Sequence, residues 1–394
     1  MHTVIIGGGF AGVKAALELS TKQLGKVTLI SDEPYFLHHA TLYATATGRN
    51  ASASVISLED MFATHHDVEV VLGTMKSIDR VRKIVVCSNR DVQYDTLVLA
   101  LGSTTNYFGI EGMAARSYGI KTLKEVQALR AHLHEEVVKD QHKQSAYYVI
   151  GAGPSGVELA AAITEYIRDV SAAHGVTRGK PKVVLVETAE RVLPNLSKTA
   201  SHKVETQLKA LGVTLLLGHK VEALGKDTVV IDGKKVPTRT VVWTSGVMNN
   251  PFFKDHPDYF ALSQNGRVNV NAYLEAYDNI YVLGDNANTP YSGRAYTALQ
   301  DAVFVADHLA RKVTGKAPKA YRPAVVAQSV PVGHSWAYVE KYGVYVAGKL
   351  GFFIRRLMEL AGLRALLPHN QALGAWHAYD QQDGTCDLCK TNGR

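Results

Sequence analysis

The N-terminal motif Gly7-Gly8-Gly9-Phe10-Ala11-Gly12 carries the most structural information in the chain. It carries the spacing G-x-G-x-x-G between an apolar run, Thr3–Ile6, and a segment, Ala11–Lys22, whose apolar residues recur at helical spacing. In this context the first glycine allows a tight turn, the second lets the backbone approach a pyrophosphate, and the third lets helix and strand pack closely. The helix N-terminus then presents free N–H groups and a positive dipole end to the phosphates. The stretch therefore predicts a dinucleotide-binding βαβ unit.

The chain just beyond this loop supplies the acidic residue that such a unit needs. Val27–Ile30 reads as the next buried strand, and Asp32 follows it, twenty residues beyond Gly12. A carboxylate at this position can accept hydrogen bonds from ribose hydroxyls. Ser31, one position earlier, could share or take that role. The candidate binding residues of this first unit are Gly7, Gly9, Phe10, Ala11, Gly12, Ser31 and Asp32.

A second loop of the same kind occurs in the middle of the chain. Gly151–Gly156 reads Gly-Ala-Gly-Pro-Ser-Gly between a strand, Tyr147–Ile150, and a helix, Val157–Val170. Its acidic partner is Glu187, whose carboxylate would repel a 2′-phosphate and so favours NADH over NADPH, although nearby Arg191 leaves that choice open. One such loop is a weak signal, but two in the same context indicate two nucleotide-binding modules. The second set of candidates is Gly151, Gly153, Pro154, Ser155, Gly156 and Glu187.

Further segments resemble one family. They are Tyr94–Ser103, Thr105–Gly112, Gly156–Ala160, Arg191–Pro194, Trp243–Val247 and Tyr281–Asp285. With them the chain resembles the two-dinucleotide-binding-domain flavoproteins, and within these the type II NADH dehydrogenases, which are NADH:quinone oxidoreductases. The resemblance covers about residues 2–313 well and the C-terminal part loosely. One departure is Leu101, which stands where the family's strand ends in Ala-Thr-Gly.

The resemblance implies which nucleotide each loop holds and what the protein does. The first loop would bind FAD and the second NADH. NADH would give a hydride to FAD, which would pass two electrons to a membrane quinone without proton pumping. Asp285 would bind the flavin ribityl chain, and Gly246 would join the NADH site. The remaining FAD positions that the resemblance implies are Met75, Ala100, Gly102, Gly284, Ala298 and Leu299.

Three residues are candidates for catalysis by the same resemblance. Glu158 would lie near the nicotinamide and the flavin. Type II enzymes carry Ala-Gln-x-Ala-x-Gln beside the flavin, where this chain reads Ala295-Tyr296-Thr297-Ala298-Leu299-Gln300. Gln300 keeps the second glutamine, whereas Tyr296 replaces the first, and an aromatic ring there could stack on a quinone or a flavin. The substitution also leaves room for a different acceptor.

The cysteines bear on the alternatives. The region Phe36–Leu42, where disulfide reductases of this superfamily carry a redox pair, contains no cysteine, and Cys87 stands alone. Cys386 and Cys389 form a single CxxC that could be half of a zinc site with His369 and His377, but such a motif is more often two spectator thiols, and we expect no metal. Two alternatives stay open: a soluble NADH oxidase or reductase with another acceptor, and a non-catalytic NADH-sensing flavoprotein that resembles apoptosis-inducing factor.

Length and charge set the domain organisation and exclude one class of partner. At 394 residues the chain predicts two or three domains of α/β type. We expect a FAD-binding domain at 1–115 and 259–313, an NADH-binding domain at 116–258 and a C-terminal membrane-association or dimerisation region at 314–394. The net charge of +7 is not gathered into one basic block, so we expect no nucleic-acid partner.

The C-terminal region carries the membrane prediction. Gly348–Pro368 reads as an amphipathic helix whose apolar face comprises Leu350, Phe353, Ile354, Leu357 and Ala361, flanked by Lys349, Arg355 and Arg356. A basic amphipathic helix can lie in a membrane interface and attract anionic lipids. No leader peptide or membrane-spanning run is visible in the sequence. We therefore expect a peripheral protein on the cytoplasmic side of the cell membrane, with a homodimer surface as the alternative use of the helix.

Overall fold

The structure is a computed structural model, and it describes residues 1–139, 146–176 and 182–383. The first part of the chain alternates strands and helices. Its elements are β1 His2–Ile6, α1 Phe10–Thr21, β2 Lys26–Ser31, β3 Tyr35–Leu37, α2 Leu42–Ala46, β4 Val55–Ser57, α3 Leu58–Phe62, β5 Val68–Leu72, β6 Met75–Asp79, β7 Ile84–Cys87, β8 Asp91–Gln93, β9 Thr96–Leu99, β10 Ser103–Thr105 and α4 Met113–Arg116.

The middle of the chain repeats this pattern. Its elements are α5 Leu123–Val138, β11 Ala146–Ile150, α6 Pro154–Ala173, β12 Lys182–Glu187, α7 Lys198–Leu211, β13 Thr214–Leu217, β14 Val221–Leu224, β15 Thr228–Ile231, β16 Lys234–Pro237, β17 Thr240–Trp243, β18 Val247–Asn249 and α8 Pro251–Asp255.

The last part returns to the first sheet and then forms a separate piece. Its elements are β19 Glu275–Tyr277, β20 Ile280–Val282, α9 Ala295–Val313, β21 Gln328–Pro331, β22 Ala337–Lys341, β23 Val344–Gly348, α10 Lys349–Arg364 and α11 His369–Ala378. Short 3-10 turns cover His39–Thr41, Ala51–Ala53 and Gly284–Asn286.

Two sheets form the centres of the two nucleotide-binding modules, and their strands are parallel except for the edge strand β19. The first has the order β19-β20-β9-β1-β2-β5, and the second has the order β13-β12-β11-β17. In both, the strand that precedes the glycine loop lies inside the sheet and is buried at every position after its first residue, and its last two residues are aliphatic. Each module also carries a three-stranded antiparallel meander, β6-β7-β8 in the first and β14-β15-β16 in the second. The predicted α/β fold with two nucleotide-binding modules is confirmed.

Boundaries differ from the predictions where local chemistry decides them. Helix α6 begins at Pro154 instead of Val157, because proline at the first helical position loses no hydrogen bond and has its φ already set. Strand β9 ends at Leu99 instead of Leu101, since the chain turns at Gly102, whose φ is +67°. Antiparallel pairing of β10 with β18 then ties the chain leaving the first sheet to the chain leaving the second.

The C-terminal piece is an antiparallel sheet, β21-β22-β23, followed by helices α10 and α11. Its α10 helix contradicts one part of the sequence prediction. Arg355 and Arg356 do not flank an exposed apolar face, because both are buried in ion pairs with Glu359, and Arg356 also pairs with Asp380. Among the described residues, no helix has both the length and the apolarity needed to cross a bilayer.

Candidate functional site

The first glycine loop uses its glycines for two different reasons. A Cβ at Gly7 would lie 2.2 Å from the Ala100 carbonyl oxygen, and a Cβ at Gly12 would lie 1.9 Å from the carbonyl oxygen of Gly7. These two glycines are therefore required by the protein's own packing. A Cβ at Gly9 would meet no atom within 4 Å, so the backbone there faces open space at the N-terminus of α1. Open space beside free N–H groups is what a phosphate group requires.

The residues after β2 separate the two candidates for ribose binding. Ser31 is buried, and its hydroxyl donates to the Glu33 carbonyl oxygen at 2.8 Å. A Cβ at Gly8 would come within 2.4 Å of the Ser31 oxygen, so this hydroxyl lies beneath the loop. Asp32 is exposed and accepts no hydrogen bond from the described residues. Its carboxylate is the better placed of the two to take hydrogen bonds from a ligand.

Three separate segments meet beside this loop. A Cβ at Gly284 would lie 3.4 Å from the Ala11 Cβ and 3.5 Å from the Ala298 Cβ. The structure thus brings together the start of α1, the end of β20 and the start of α9, as the family pattern implies. Of the other predicted positions, Leu299 is buried beside Ala298, and Met75 and Ala100 lie in buried strands or at strand ends.

Asp285 stands at the centre of a polar network that sequence reasoning missed. Its carboxylate accepts a hydrogen bond from the Ser103 hydroxyl at 2.7 Å, and that hydroxyl accepts one from the Lys121 ammonium at 2.9 Å. Burial lowers the pKa of Lys121, while the negative charge of Asp285 opposes the change. The Asn286 side chain exchanges two hydrogen bonds with the backbone of Gly102. No motif marked Lys121 or Asn286, since each acts through partners distant in sequence.

At the start of α9, the side chain of Gln300 is hydrogen-bonded to the protein's own backbone. The Gln300 side-chain oxygen accepts from the Ala324 N–H at 2.7 Å, and its amide nitrogen donates to the Ala324 carbonyl at 3.4 Å. Gln300 therefore holds the segment that links α9 to β21. Tyr296 is exposed, and the Thr297 hydroxyl is buried without a hydrogen-bond partner within the described part of the chain.

A buried carboxyl supports the same helix. Asp301 accepts a hydrogen bond from the Gly284 N–H at 2.9 Å and another from the Tyr321 hydroxyl. Burial raises the pKa of Asp301 to about 6. This contact fixes the turn after β20, from which Asp285 projects. It also ties the linker after α9 to that turn.

The second glycine loop has the geometry of the first. Gly151 has a φ of +103°, a Cβ at Gly156 would lie 1.8 Å from the Gly151 carbonyl oxygen, and a Cβ at Gly153 would meet nothing within 4 Å. Glu187 accepts hydrogen bonds from the N–H groups of Ala152, at 2.7 Å, and Ala189, at 3.0 Å. Its carboxylate is thus fixed at the end of β12, beside the loop.

A cavity of about 590 Å³ lies over this loop. Its walls include Phe108, Gly151, Glu187, Lys220 and Trp243. Arg191, which left the choice of nucleotide open, has its guanidinium group engaged by backbone carbonyls from Leu193 to Ser197 and by the Ser201 hydroxyl. It does not line the cavity, so it offers no charge to a 2′-phosphate there.

Among the described residues, Glu158 is the carboxyl group whose pKa is raised furthest above its ordinary value. It lies in the first turns of α6, and loss of hydration raises its pKa to about 8. The positive charge of Arg355, from α10, opposes that rise. Loss of hydration therefore favours the protonated form of the Glu158 carboxyl.

Aromatic residues surround this arginine. The Arg355 guanidinium lies 5.9 Å from the ring centre of Tyr43 and 5.4 Å from that of Tyr379, and the two phenol oxygens are 2.7 Å apart. Burial and the charge of Arg355 lower the pKa of His38 to about 4. His38 is buried and hydrogen-bonds with Thr41, so it packs inside the protein. The C-terminal piece thus reaches the region of Glu158, which helical periodicity could not reveal.

The sequence profile of the pyridine nucleotide-disulphide oxidoreductases matches residues 1–302. The chain belongs to this family. A curated relative, the type II NADH:quinone oxidoreductase Ndh of Mycobacterium tuberculosis, is 28% identical over 403 residues, which cover 95% of this chain and 87% of that protein. The type II NADH:quinone oxidoreductase of Staphylococcus aureus is 25% identical over 380 residues, which cover 90% of this chain and 93% of its own length. The resemblance to type II enzymes is thereby confirmed.

Solved structures share the fold. NDH2 from Plasmodium falciparum in complex with NADH superposes with a TM-score of 0.84 at 16% identity, over 96% of this chain and 97% of that one. The sulfide:quinone oxidoreductase of Aquifex aeolicus superposes with a TM-score of 0.79 at 21% identity, over 94% and 92%. The wide coverage includes the C-terminal piece, so the whole described architecture recurs in these proteins.

The cysteine thiols and a possible metal site were the other functional candidates in the sequence. Cys87 is buried in β7, and burial raises the pKa of its thiol. The described residues contain no group of three or more His, Cys, Asp or Glu side chains that could hold a metal ion. Cys386 and Cys389 lie outside the described residues.

Proposed function

We propose that this protein is an FAD-dependent oxidoreductase that takes a hydride from NADH and passes two electrons to a membrane quinone, without proton pumping. The observation that carries the proposal is the pair of equivalent glycine loops, each with an open central glycine, with the proton-holding Glu158 beside the second. Relatives named type II NADH:quinone oxidoreductases match 90% or more of the chain, which supports quinone as the acceptor.

The residues around the first loop fit FAD. Gly9 leaves room for the pyrophosphate, Asp32 offers a carboxylate to the ribose, and Asp285 offers another to the ribityl hydroxyls. When bound, FAD supplies the hydride-accepting and electron-passing chemistry. The free N–H groups at the start of α9 would stabilise negative charge on the flavin through the helix dipole.

The residues around the second loop fit NADH. Gly153 leaves the pyrophosphate the same room, and Glu187 is held where a ribose carboxylate partner is needed. Because Arg191 is engaged elsewhere, the site favours NADH over NADPH. Gly246 and Ser245 follow β17, on the side of the loop away from Glu187.

Glu158 would supply the proton that the hydride from NADH does not bring. Reduction of a quinone to a quinol takes up two electrons and two protons; the hydride from NADH accounts for both electrons and one proton, so one further proton is needed, and a carboxyl group with a pKa raised to about 8 favours holding one near neutral pH. We assign Glu158 the role of proton donor to the acceptor. Tyr296, exposed at the start of α9, is the aromatic group available for stacking on the quinone ring. Gln300 acts indirectly, by holding the linker at Ala324.

The test of this function is an oxidation assay. The purified protein should show a flavin absorption spectrum, and a short-chain quinone should accelerate its oxidation of NADH many-fold over the rate in air. A protein that contains flavin but oxidises NADH no faster with any quinone would contradict the quinone assignment. A long-lived NADH-reduced complex without turnover would favour the non-catalytic alternative.

We also propose that α10 lies on the surface of the membrane that holds the quinone. Leu350, Phe353 and Leu357 are 61%, 58% and 46% exposed, and they follow one another at helical spacing. The hairpin that precedes the helix adds the exposed side chains of Tyr342 and Val344. Such a set of apolar and interfacial residues suits a lipid surface. The cytoplasmic side of the membrane and a homodimer remain predictions from the sequence.

Binding to liposomes tests the membrane proposal. Replacing Phe353 and Leu357 together by Asp should release the protein from liposomes of anionic lipid, because two charges would replace two apolar anchors. Sedimentation measures the bound fraction. Val81→Asp is the matched control, since Val81 is exposed on the turn between β6 and β7, far along the chain from α10. Equal binding of the double variant and the wild type would contradict the proposal.

A further inference from the structure

Phe108 combines two features that are unfavourable in a folded protein. Its side chain is 64% exposed, and its φ of +51° places a bulky residue in the left-handed region that favours glycine. Neither feature stabilises the free protein. A bulky residue that keeps a strained backbone and an exposed ring is a candidate for a ligand contact.

The loop holds this ring firmly. The Phe108 N–H donates to the Asn106 side-chain oxygen at 2.9 Å, and the Asn106 carbonyl accepts from the Trp243 indole N–H at 3.0 Å. The Phe108 ring meets the Trp243 ring edge to face at 6.3 Å. A Cβ at Gly246 would lie 2.5 Å from the Phe108 ring, so the glycine is needed to admit it. The ring is therefore fixed before any ligand arrives.

The position of the ring identifies the ligand. Phe108 lines the cavity of about 590 Å³ over the second glycine loop, together with Gly151, Glu187 and Ser245. The loop that carries it leaves the first sheet after β9 and is bonded to the second module, where the Leu224 N–H donates to the Glu111 carbonyl at 2.9 Å. Phe108 thus lines the same nucleotide cavity as the residues at and after the end of β12.

We infer that Phe108 is a binding residue for the reducing nucleotide, NADH, and that its ring packs against the dinucleotide and shields it from water. This inference rests on the proposed function, since it takes NADH as the occupant of the cavity. An aromatic face supplies apolar contact at little cost in side-chain entropy, because only two side-chain angles need fixing.

The test measures binding and stability separately. In the FAD-bound protein, Phe108→Ala should weaken the binding of NAD⁺, measured by calorimetry, and raise the KM for NADH, each about fivefold, the loss expected for one aromatic contact. The kcat at saturating NADH should stay within twofold of the wild-type value. Phe108→Tyr should bind NAD⁺ with the wild-type affinity, because tyrosine keeps the aromatic ring.

Stability distinguishes a ligand contact from a structural one. Phe108→Gly should weaken nucleotide binding as the alanine variant does, yet unfold at the same or a higher temperature, because glycine adopts the left-handed backbone without strain. Val247→Ala is the matched control, since Val247 is an exposed apolar residue near Gly246 that does not line the cavity. It should leave the affinity unchanged.

Two results would overturn the inference, and only the second would also overturn the proposed function. If the wild type binds NAD⁺ and Phe108→Ala binds it equally well, the inference fails and the proposed function stands. If the wild type binds neither NADH nor NAD⁺, the proposed function fails and the inference fails with it.

Discussion

The titration of Glu158 should affect both the stability of the protein and its activity. Its pKa rises from an ordinary value of 4.5 to about 8 in the folded chain, because protein atoms replace its water of hydration. Between these two values the unfolded chain has lost the proton while the folded chain still holds it. Stability contributed by the protonated carboxyl is complete below the lower value and is lost as pH rises toward the upper one. The whole loss amounts to about 5 kcal/mol, or about 1.4 kcal/mol per pH unit.

The variant Glu158→Gln removes this titration while it keeps the size and polarity of the side chain. Its free energy of unfolding, relative to that of the wild type, should therefore increase by about 1.4 kcal/mol for each pH unit between about 5 and 8, and should level off above 8. Urea unfolding of the FAD-bound proteins at fixed pH values measures the difference. The variant should also slow the reduction of quinone, since glutamine has no carboxyl proton to give.

An exposed glutamate provides the control for Glu158. Glu59→Gln, an exposed glutamate at the start of α3, should give a difference from the wild type that does not change in this pH range. If the Glu158→Gln and wild-type curves run parallel from pH 5 to 8, Glu158 is ionised in the folded protein. Its assignment as a proton donor would then be wrong.

Two further substitutions test the nucleotide site and the linker. Glu187→Arg should shift the preference toward NADPH, because it replaces a carboxylate that repels a 2′-phosphate by a cation that attracts one; the ratio of kcat/KM for the two nucleotides measures this, and an unchanged ratio would refute the role. Gln300→Ala should lower the free energy of unfolding by about 1–2 kcal/mol, because two hydrogen bonds to the Ala324 backbone are lost. Unchanged stability would show that these bonds do not hold the linker.

Both nucleotide-binding loops could be predicted from the sequence because their geometry depends on residues next to each other. Gly7 and Gly12 are fixed by a turn that lets no side chain fit, and the same is true of Gly151 and Gly156. A pattern of six residues therefore carries most of the physical information. The strands and helices on either side follow from apolar periodicity, so the α/β fold was predicted with small errors at element ends.

Side-chain partners far away in the sequence could not be predicted in this way. Gln300 was a catalytic candidate because of its place in a motif, and nothing in the motif indicated that its amide group bonds to Ala324. Arg191 stood near the acidic residue Glu187 in the sequence, yet its guanidinium turns to the carbonyls that precede α7. Each outcome depends on a backbone path that only the folded chain defines.

The C-terminal piece shows how such a partner changes the interpretation of a whole segment. Helical periodicity identifies the outward face of α10 correctly, since Leu350, Phe353 and Leu357 are exposed. It cannot say what covers the opposite face, and there Arg355 is buried between Glu359 and two tyrosines. The same guanidinium lowers the pKa that burial would otherwise give Glu158. One helix therefore presents apolar side chains outward and, on its opposite face, the cation that acts on the carboxyl of Glu158 in α6, so that α10 links the proposed membrane contact to the proposed proton donor.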